Sequence, residues 1–417
     1  MAQFVTQVWH DAAMVPPRTI TTLLRHPIVA AFLLLAPLAH AADGNELFAL
    51  GAVQKGLGGA GAAHAHDATW ITVNPAALVE LGQRLDLSQE FLRMGTMLEP
   101  HGLPLAVNVG AGRMTDTNYV LIPAGAYLHP AGGGVLGVGG FGTQGNRVEY
   151  PKPRTTLTLF TNGDRRSDYS VVQFPLMYAH PLGRGWALGG GVVLAATRFQ
   201  TDSVSLRFQE AKADNASDFE IGAGYVVGIH KQAGRLRLGA AYHSKVAMGD
   251  YEKYAELLTS SFDLPQKVRA GIALELRDGL EVLLDYKWID WQQVDQLGNK
   301  TVNGGLAWRD QHIVKLGLNW DITPRWSVRG GVSHGESAIR DDAVFANATT
   351  PGISETSIAL GGTWRMNEKH SFHVALAHLI PEERTENGKG DFFSLIGRGT
   401  RIGFDENSVT VQYTYSF

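Results

Sequence analysis

The sequence predicts an all-β chain: a transmembrane barrel of about 14 antiparallel strands, with an N-terminal hatch plugging the lumen. Three observations carry that expectation. The chain opens with an export signal, no later apolar run is long enough for a membrane helix, and strands with one apolar and one polar face recur to the last residue. Composition agrees. Of 417 residues 49 are Gly, well above the roughly 7 percent that is usual. There is no Cys, which excludes a disulfide framework, a zinc-cysteine site and a cysteine nucleophile. Lys+Arg 36 against Asp+Glu 40 gives a net charge of -4, so the chain offers no overall attraction to nucleic acid, and none is expected as a partner.

The first element is residues 1–41. Arg18 and Arg25 precede the apolar stretch from Ile28 to Ala39, and Ala39-His40-Ala41 closes it. That is a basic region, an apolar region and an A-x-A cleavage site, so cleavage is expected after Ala41. Initiation at Met14 gives a more ordinary signal peptide than initiation at Met1. The apolar stretch, interrupted by Pro37, falls short of the about 20 residues a spanning helix needs. In lipid the backbone must satisfy its own polar groups, so an exported chain without apolar helices can span only as a closed barrel. The expected location is the outer membrane of a Gram-negative bacterium.

Residues 83–417 supply the strands, expected at 84–94, 118–129, 134–143, 167–181, 186–208, 217–231, 235–248, 265–276, 280–294, 309–321, 325–336, 354–366, 370–382 and 407–417. The final one is the clearest. Val409, Val411, Tyr413, Tyr415 and Phe417 alternate with Ser408, Thr410, Gln412, Thr414 and Ser416, one set on each face. Aromatic residues at the chain end suit the girdle at a membrane interface, and a final Phe resembles the signal read by outer-membrane barrel assembly machinery. Leu280, Val282, Leu284, Tyr286 and Trp288 likewise oppose Glu281, Asp285 and Lys287; Val268, Ala270, Ile272 and Leu274 oppose Arg269 and Glu275. Charges facing away from an apolar row suggest a wet interior. Short breaks such as Asp278-Gly279 alternate with long polar stretches such as 292–308 and 383–402, the pattern of short turns at one end and long loops at the other. The many Gly fit strands that bend or give way to a ligand.

Residues 42–82 do not alternate. They are Gly-rich and apolar, must be buried, and the place left for them is the lumen. Within them stand Gly56-Leu57-Gly58-Gly59-Ala60-Gly61, Asp67-Ala68 and Asn74-Pro75-Ala76-Ala77-Leu78. This arrangement resembles the N-terminal hatch of the FadL-type outer-membrane transporters for long-chain fatty acids and aromatic hydrocarbons. Asp263 to Gly271 running into Leu284 to Trp291, Trp308-Arg309-Asp310 with Val314 to Gly317, and Trp326 to Gly331 are similar to the same family.

The resemblance implies fourteen strands, a hatch holding the Asn-Pro-Ala motif, and an inward kink in the third strand that opens the wall sideways. It implies passive transport of hydrophobic molecules, long-chain fatty acids first and aromatic or alkane hydrocarbons as the alternative, with lateral release. Rivals from other classes are a barrel lipase or esterase and an adhesion barrel. By position in the resembling strands, Arg198 and Arg309 match places where fatty-acid transporters carry basic residues at the binding pocket; the alternative for each is pairing with a lumen carboxylate such as Asp310 or Glu275. Phe48, Leu50 and Val53 are candidates for the apolar pocket floor, and Gly56, Gly58, Gly61, Asn74, Pro75 and Ala76 for the hatch. The implied partners are a hydrophobic small molecule, outer-membrane lipid and lipopolysaccharide, and the barrel assembly machinery, with the chain monomeric and no enzyme activity or cofactor expected.

Three motifs point elsewhere and lack context. Gly56-x-Gly58-x-x-Gly61 has the dinucleotide spacing without a βαβ unit. Gly331-Val332-Ser333-His334-Gly335 has the nucleophile-elbow spacing but continues an alternating strand. His64-Ala65-His66 has the i, i+2 spacing of paired metal ligands without a clear third, so no metal is expected.

Overall fold

Alternating side chains settle which way each strand faces, and a row of such strands hydrogen-bonded edge to edge makes the wall. The computed structural model describes residues 43–102, 112–150, 165–201, 216–255 and 257–417; the expected signal peptide lies outside them. The strands are β1 Arg84–Glu99, β2 Met114–Ala131, β3 Gly134–Tyr150, β4 Arg165–Gly183, β5 Trp186–Thr201, β6 Asp218–Ala233, β7 Leu236–His243, β8 Ala247–Met248, β9 Lys267–Arg277, β10 Leu280–Ile289, β11 Gln311–Thr323, β12 Trp326–Gly335, β13 Thr356–Arg365, β14 His370–Thr385 and β15 Arg401–Ser416. Both β7 and the two-residue β8 pair with β6, so they are two pieces of one stave and the wall has fourteen. All pairs are antiparallel, and β15 returns to β1 in register from Arg84↔Ser416 to Glu99↔Arg401, which closes the barrel.

The faces fall as the alternation requires. Val409 and Val411 are exposed on the outer surface while Ser408, Thr410, Gln412 and Thr414 are buried inside. On β10 Leu284 and Tyr286 face out, and Glu281, Asp285 and Lys287 are buried. Outward apolar rows suit lipid. At the short-turn rim a ring of aromatics follows neighbouring strands: Trp326 stacks on Trp364 at 6.2 Å, Trp364 on Phe372 at 5.8 Å, and Phe372 lies 5.4 Å from Tyr413. Phe417 sits edge-on to Tyr415 at 4.7 Å and to Tyr127 at 5.8 Å, and its backbone N–H donates to the Gln83 carbonyl, fastening the chain end to the start of β1.

The interior is filled by the N-terminal segment, as its Gly-rich, apolar sequence requires, and the inward charges of the strands meet that segment. A short helix α1, Gly51–Gly56, and two 3-10 turns, Ala68–Thr72 and Pro75–Glu80, pack within the strands, and Phe48, Leu57, Trp70, Ile71 and Leu78 are fully buried. The Gly content serves this plug as well as bending. A Cβ added at Gly331 of β12 would lie 2.1 Å from the Gly58 nitrogen, and one at Gly189 of β5 would lie 2.4 Å from the Ala76 nitrogen. The wall glycines are where hatch backbone touches strand backbone.

One stretch of wall is not zipped. β2 pairs with β3 only from Ala124↔Phe141 to Ala131↔Gly134, while β3 continues on β4 to Tyr150↔Arg165 with a bulge between Gly142 and Gln144. Pro123, which has no N–H to give, stands at the first unpaired β2 position. Glycines at 139, 140, 142 and 145 let β3 bend, and its residues 140–146 are all buried. The lost partners are replaced by the hatch: the Leu47 N–H donates to Thr143 O at 2.9 Å, and the Gly145 N–H donates to Asn45 O at 3.1 Å. This unpaired, buried stretch lies on the third strand, where the resemblance implied an inward kink.

Candidate functional site: the hatch, the seam and the void between them

The hatch is held by buried charges arriving from opposite sides. Asp43 receives hydrogen bonds from Lys287 at 2.7 Å and Lys315 at 2.9 Å, and Glu46 receives them from Lys287 at 2.7 Å and Lys267 at 2.6 Å. Burial by itself would raise both carboxyls; these ammonium groups overcome it and hold Asp43 and Glu46 below the usual carboxylate range. Lys55 pairs with Glu90 and lies 4.8 Å above the Phe48 ring. Phe48 is therefore packed beneath cations, with no exposed surface to offer a ligand.

The Asn-Pro-Ala motif caps and docks at once. The Asn74 side-chain oxygen accepts from the Ala76 N–H at 3.1 Å, starting the turn that Pro75 pre-sets, and its amide donates to Ala62 O at 2.7 Å and Ile229 O at 3.1 Å. It approaches β6 so closely that a Cβ on Gly228 would lie 2.1 Å from its oxygen. Gly61 and Ala62 donate their N–H groups to Asp285 at 2.8 and 2.7 Å, and an added Cβ at Gly61 would strike the Trp70 ring at 2.5 Å. An added Cβ at Gly56 would stand 3.0 Å from the Gly361 backbone. Asn74→Ala removes three hydrogen bonds, two within the hatch and one to β6, at about 1 kcal/mol each, and should loosen the seated hatch by about 3 kcal/mol while barrel yield is kept. Limited proteolysis of the hatch at equal barrel abundance reads the difference; cleavage at the wild-type rate shows that the motif is only a turn.

Beside the seam lies a void of about 40 Å³. Its lining mixes the apolar Leu50, Ile71, Met177, Val193 and Val226 with the polar Gln54, Thr143 and Gln173 and the ionisable Glu46, His243, Lys267 and Arg269. A space of this size holds little more than a water, whereas ligand pockets run from about 300 Å³ upward. Above the void, on the same inner faces of β4 and β5, a separate cluster gathers five rings: Phe199 lies 4.9 Å from Tyr254, 5.4 Å from Tyr251 and 5.6 Å from Phe262, and Tyr169 lies 5.4 Å from Phe262. Ala195 and Val193 continue the apolar track from these rings down to the void.

The expected site residues are not brought together. Leu50 lines the void, Val53 lines a different, polar cavity at the short-turn mouth, and Phe48 lines neither. Arg198 follows the exposed Val192 and Leu194 in step along β5, so it points outward, where Ser217 and Gln200 accept its hydrogen bonds and Asp168 lies 3.6 Å away. Arg309 sits ahead of β11 among the long loops, donating to Ser337 O at 2.9 Å and pairing with Glu336 at 2.9 Å. Neither reaches the void, and neither pairs with Asp310 or Glu275. The cations that do, Lys267 and Arg269, were within reach of the alternation, which already placed Arg269 opposite an apolar row. His243 carried no such signal.

Comparison with known proteins gives the same picture. Residues 33–417 match the family described as outer membrane protein transport protein (OMPP1/FadL/TodX). Among curated relatives, outer membrane protein P1 of Haemophilus influenzae is 25% identical over 176 residues, 38% of each chain, and the 47 kDa outer membrane protein of Pasteurella multocida is 23% identical over 202 residues, 42% of this chain and 46% of its own. The matches thus span less than half the length of these relatives. Among solved structures, the toluene transporter TodX of P. putida superposes with a TM-score of 0.70 at 15% identity over 89% of this chain and 99% of its own. A FadL homologue of Pseudomonas aeruginosa gives 0.67 at 15% identity over 90% and 100%. At such identity these two show a shared fold and no more.

Proposed function

Because the chain belongs to the OMPP1/FadL/TodX family of outer-membrane transport proteins, we propose that it takes up long-chain fatty acids and releases them sideways through the seam between β2 and β3. The observation that carries the reading is the mixed lining of the void. Aliphatic side chains share it with Lys267 and Arg269, the buried Nε of Arg269 having no hydrogen-bond partner among the described residues. An apolar tail with an anionic head fits such a lining, because a carboxylate leaving water needs a cationic partner. The acid enters along the ring cluster, the hatch segment at residues 45–47 parts from β3, and the head is handed to Arg269 while the tail lies toward the seam. Movement is passive; the affinity of successive sites and of the membrane sets its direction.

A second reading, uptake of aromatic hydrocarbons, is favoured by the five rings around Phe199 and needs no cation. Uptake of a labelled long-chain acid and of an alkylbenzene by cells carrying Arg269→Gln or Phe199→Ala separates the two. A charge-assisted hydrogen bond is worth about 1.5–3 kcal/mol, so Arg269→Gln should lower acid affinity by about one to two decades and spare the alkylbenzene. Arg198→Gln and Arg309→Gln should leave both unchanged. Undiminished acid uptake in Arg269→Gln removes the fatty-acid reading, and loss of alkylbenzene uptake alone in Phe199→Ala installs the aromatic one.

A further inference from the structure

At the short-turn mouth, below the hatch, a polar cavity of about 420 Å³ contains His64 and His66 of the hatch and Glu281 of β10. The i, i+2 spacing puts both imidazoles on one side of an extended segment, and the barrel brings to them the acidic residue that chain order hides, more than two hundred positions away. Nδ1 of His64 lies 2.7 Å from Oε1 of Glu281, and Nε2 of His66 lies 3.2 Å from Oε2. One ligand atom from each of the three falls within 4.8 Å of the others.

Three polar atoms around this cluster are left without a hydrogen-bond partner among the described residues. Nε2 of His66 completes no hydrogen bond among the described residues, its only acidic neighbour there being Glu281 at 3.2 Å. Oε2 of Glu80, 3.4 Å from Nε2 of His64, has none either. The same holds for Nε2 of His230, a residue 2% exposed whose ring nitrogen points at Glu80 from 3.7 Å. Arg237 steadies the acidic side, with Nε 3.1 Å from Glu80 and Nη1 3.7 Å from Glu281. Buried imidazoles and carboxylates left without partners are costly unless something completes them.

We propose that His64, His66 and Glu281 bind a divalent transition-metal ion, with Glu80 or water in the fourth position. A tetrahedral ion bonded at about 2.0–2.1 Å holds its ligand atoms roughly 3.4 Å apart, which lies inside the spacing these three groups already have. Two imidazoles and a carboxylate without sulfur suit zinc, nickel or copper, and disfavour calcium and magnesium, which take oxygen. Arg237 fixes the carboxylates from outside. The ion joins the hatch to the wall at β10, on the side away from the seam, and acts as a latch against hatch displacement. This assignment stands independently of which substrate is carried.

The full mature chain, extracted in detergent and stripped with a chelator, is titrated with Zn²⁺ against a chromophoric competitor. One ion per chain is expected, with a Kd at or below about 1 µM. His66→Ala and the near-isosteric Glu281→Gln should each weaken binding more than about tenfold, while His180→Ala, an exposed histidine on the outer wall, should not. Zn²⁺ should also slow proteolysis of the hatch in wild type and not in Glu281→Gln, a readout that holds even where His66→Ala folds poorly. Absence of stoichiometric uptake, or equal uptake by wild type and Glu281→Gln, overturns the site in favour of surface histidines alone.

Discussion

Replacing Lys287 by methionine releases the hatch and leaves the barrel standing. Lys287 is 1% exposed and touches both Asp43 and Glu46. Methionine keeps the length of the stem but removes the charge, so two buried carboxylates lose a shared partner. Breaking a buried pair from one side costs about 3–5 kcal/mol, chiefly because the remaining charge stays desolvated. That corresponds to about two to three and a half decades in the docking equilibrium. The barrel's own hydrogen bonds are untouched. Heat-modifiable mobility of the folded barrel should therefore match wild type, while the hatch becomes open to protease and the cells admit polar antibiotics that wild type excludes. A protected hatch in Lys287→Met would mean that apolar packing alone seats it.

Gly331→Val should produce the same phenotype by steric means. Gly331 faces inward on β12, and a Cβ there would stand 2.1 Å from both the Gly58 nitrogen and the Leu57 carbonyl carbon. Those are backbone atoms of a segment in which Gly58 itself sits at φ 65°, so they cannot turn aside as a side-chain tip can. Overpacking typically costs about 1–3 kcal/mol, and a backbone obstruction lies at the top of that range or beyond it. Valine is a good strand former, so the strand itself gains. Barrel yield should hold or rise while the hatch is shed. Because both substitutions act on one docking equilibrium through distant sites, the double variant should be additive in free energy. A barrel that fails to assemble would show instead that hatch docking is part of assembly.

Much of this molecule is legible in its sequence. The outward and inward rows of β9, β10 and β15 follow directly from alternation, and each of the fourteen expected strands corresponds to a stave, with ends displaced by up to seven residues and the expected stretch 202–208 lying outside the described residues. Where both faces of a strand are apolar, alternation loses its side. That is the case in β5, where Gly189-Gly190-Gly191-Val192-Val193-Leu194-Ala195-Ala196 gives no polar row to orient by, so alternation offers no check on Arg198, which the resemblance alone places at the pocket and which points outward. The expected pocket floor is dispersed for a different reason. Phe48, Leu50 and Val53 are close in sequence, but they lie in a segment that turns into a helix at Gly51, so their side chains part to three different environments.

What the sequence by itself determined is local and periodic: the strands, their faces, the Gly-rich segment that has to be buried, and the Asn74-Pro75 turn. These depend on neighbours along the chain. Only the tertiary structure decided what the inner face meets, because closing fourteen strands around a plug brings residues hundreds of positions apart within hydrogen-bond distance. Lys287 and Lys315 meet Asp43 in this way, Arg269 meets the void beside Leu50, and Glu281 meets His64 and His66. Each of these is a charge or ligand set whose members make no sense alone, since burying any one without the others would cost more than the fold can bear.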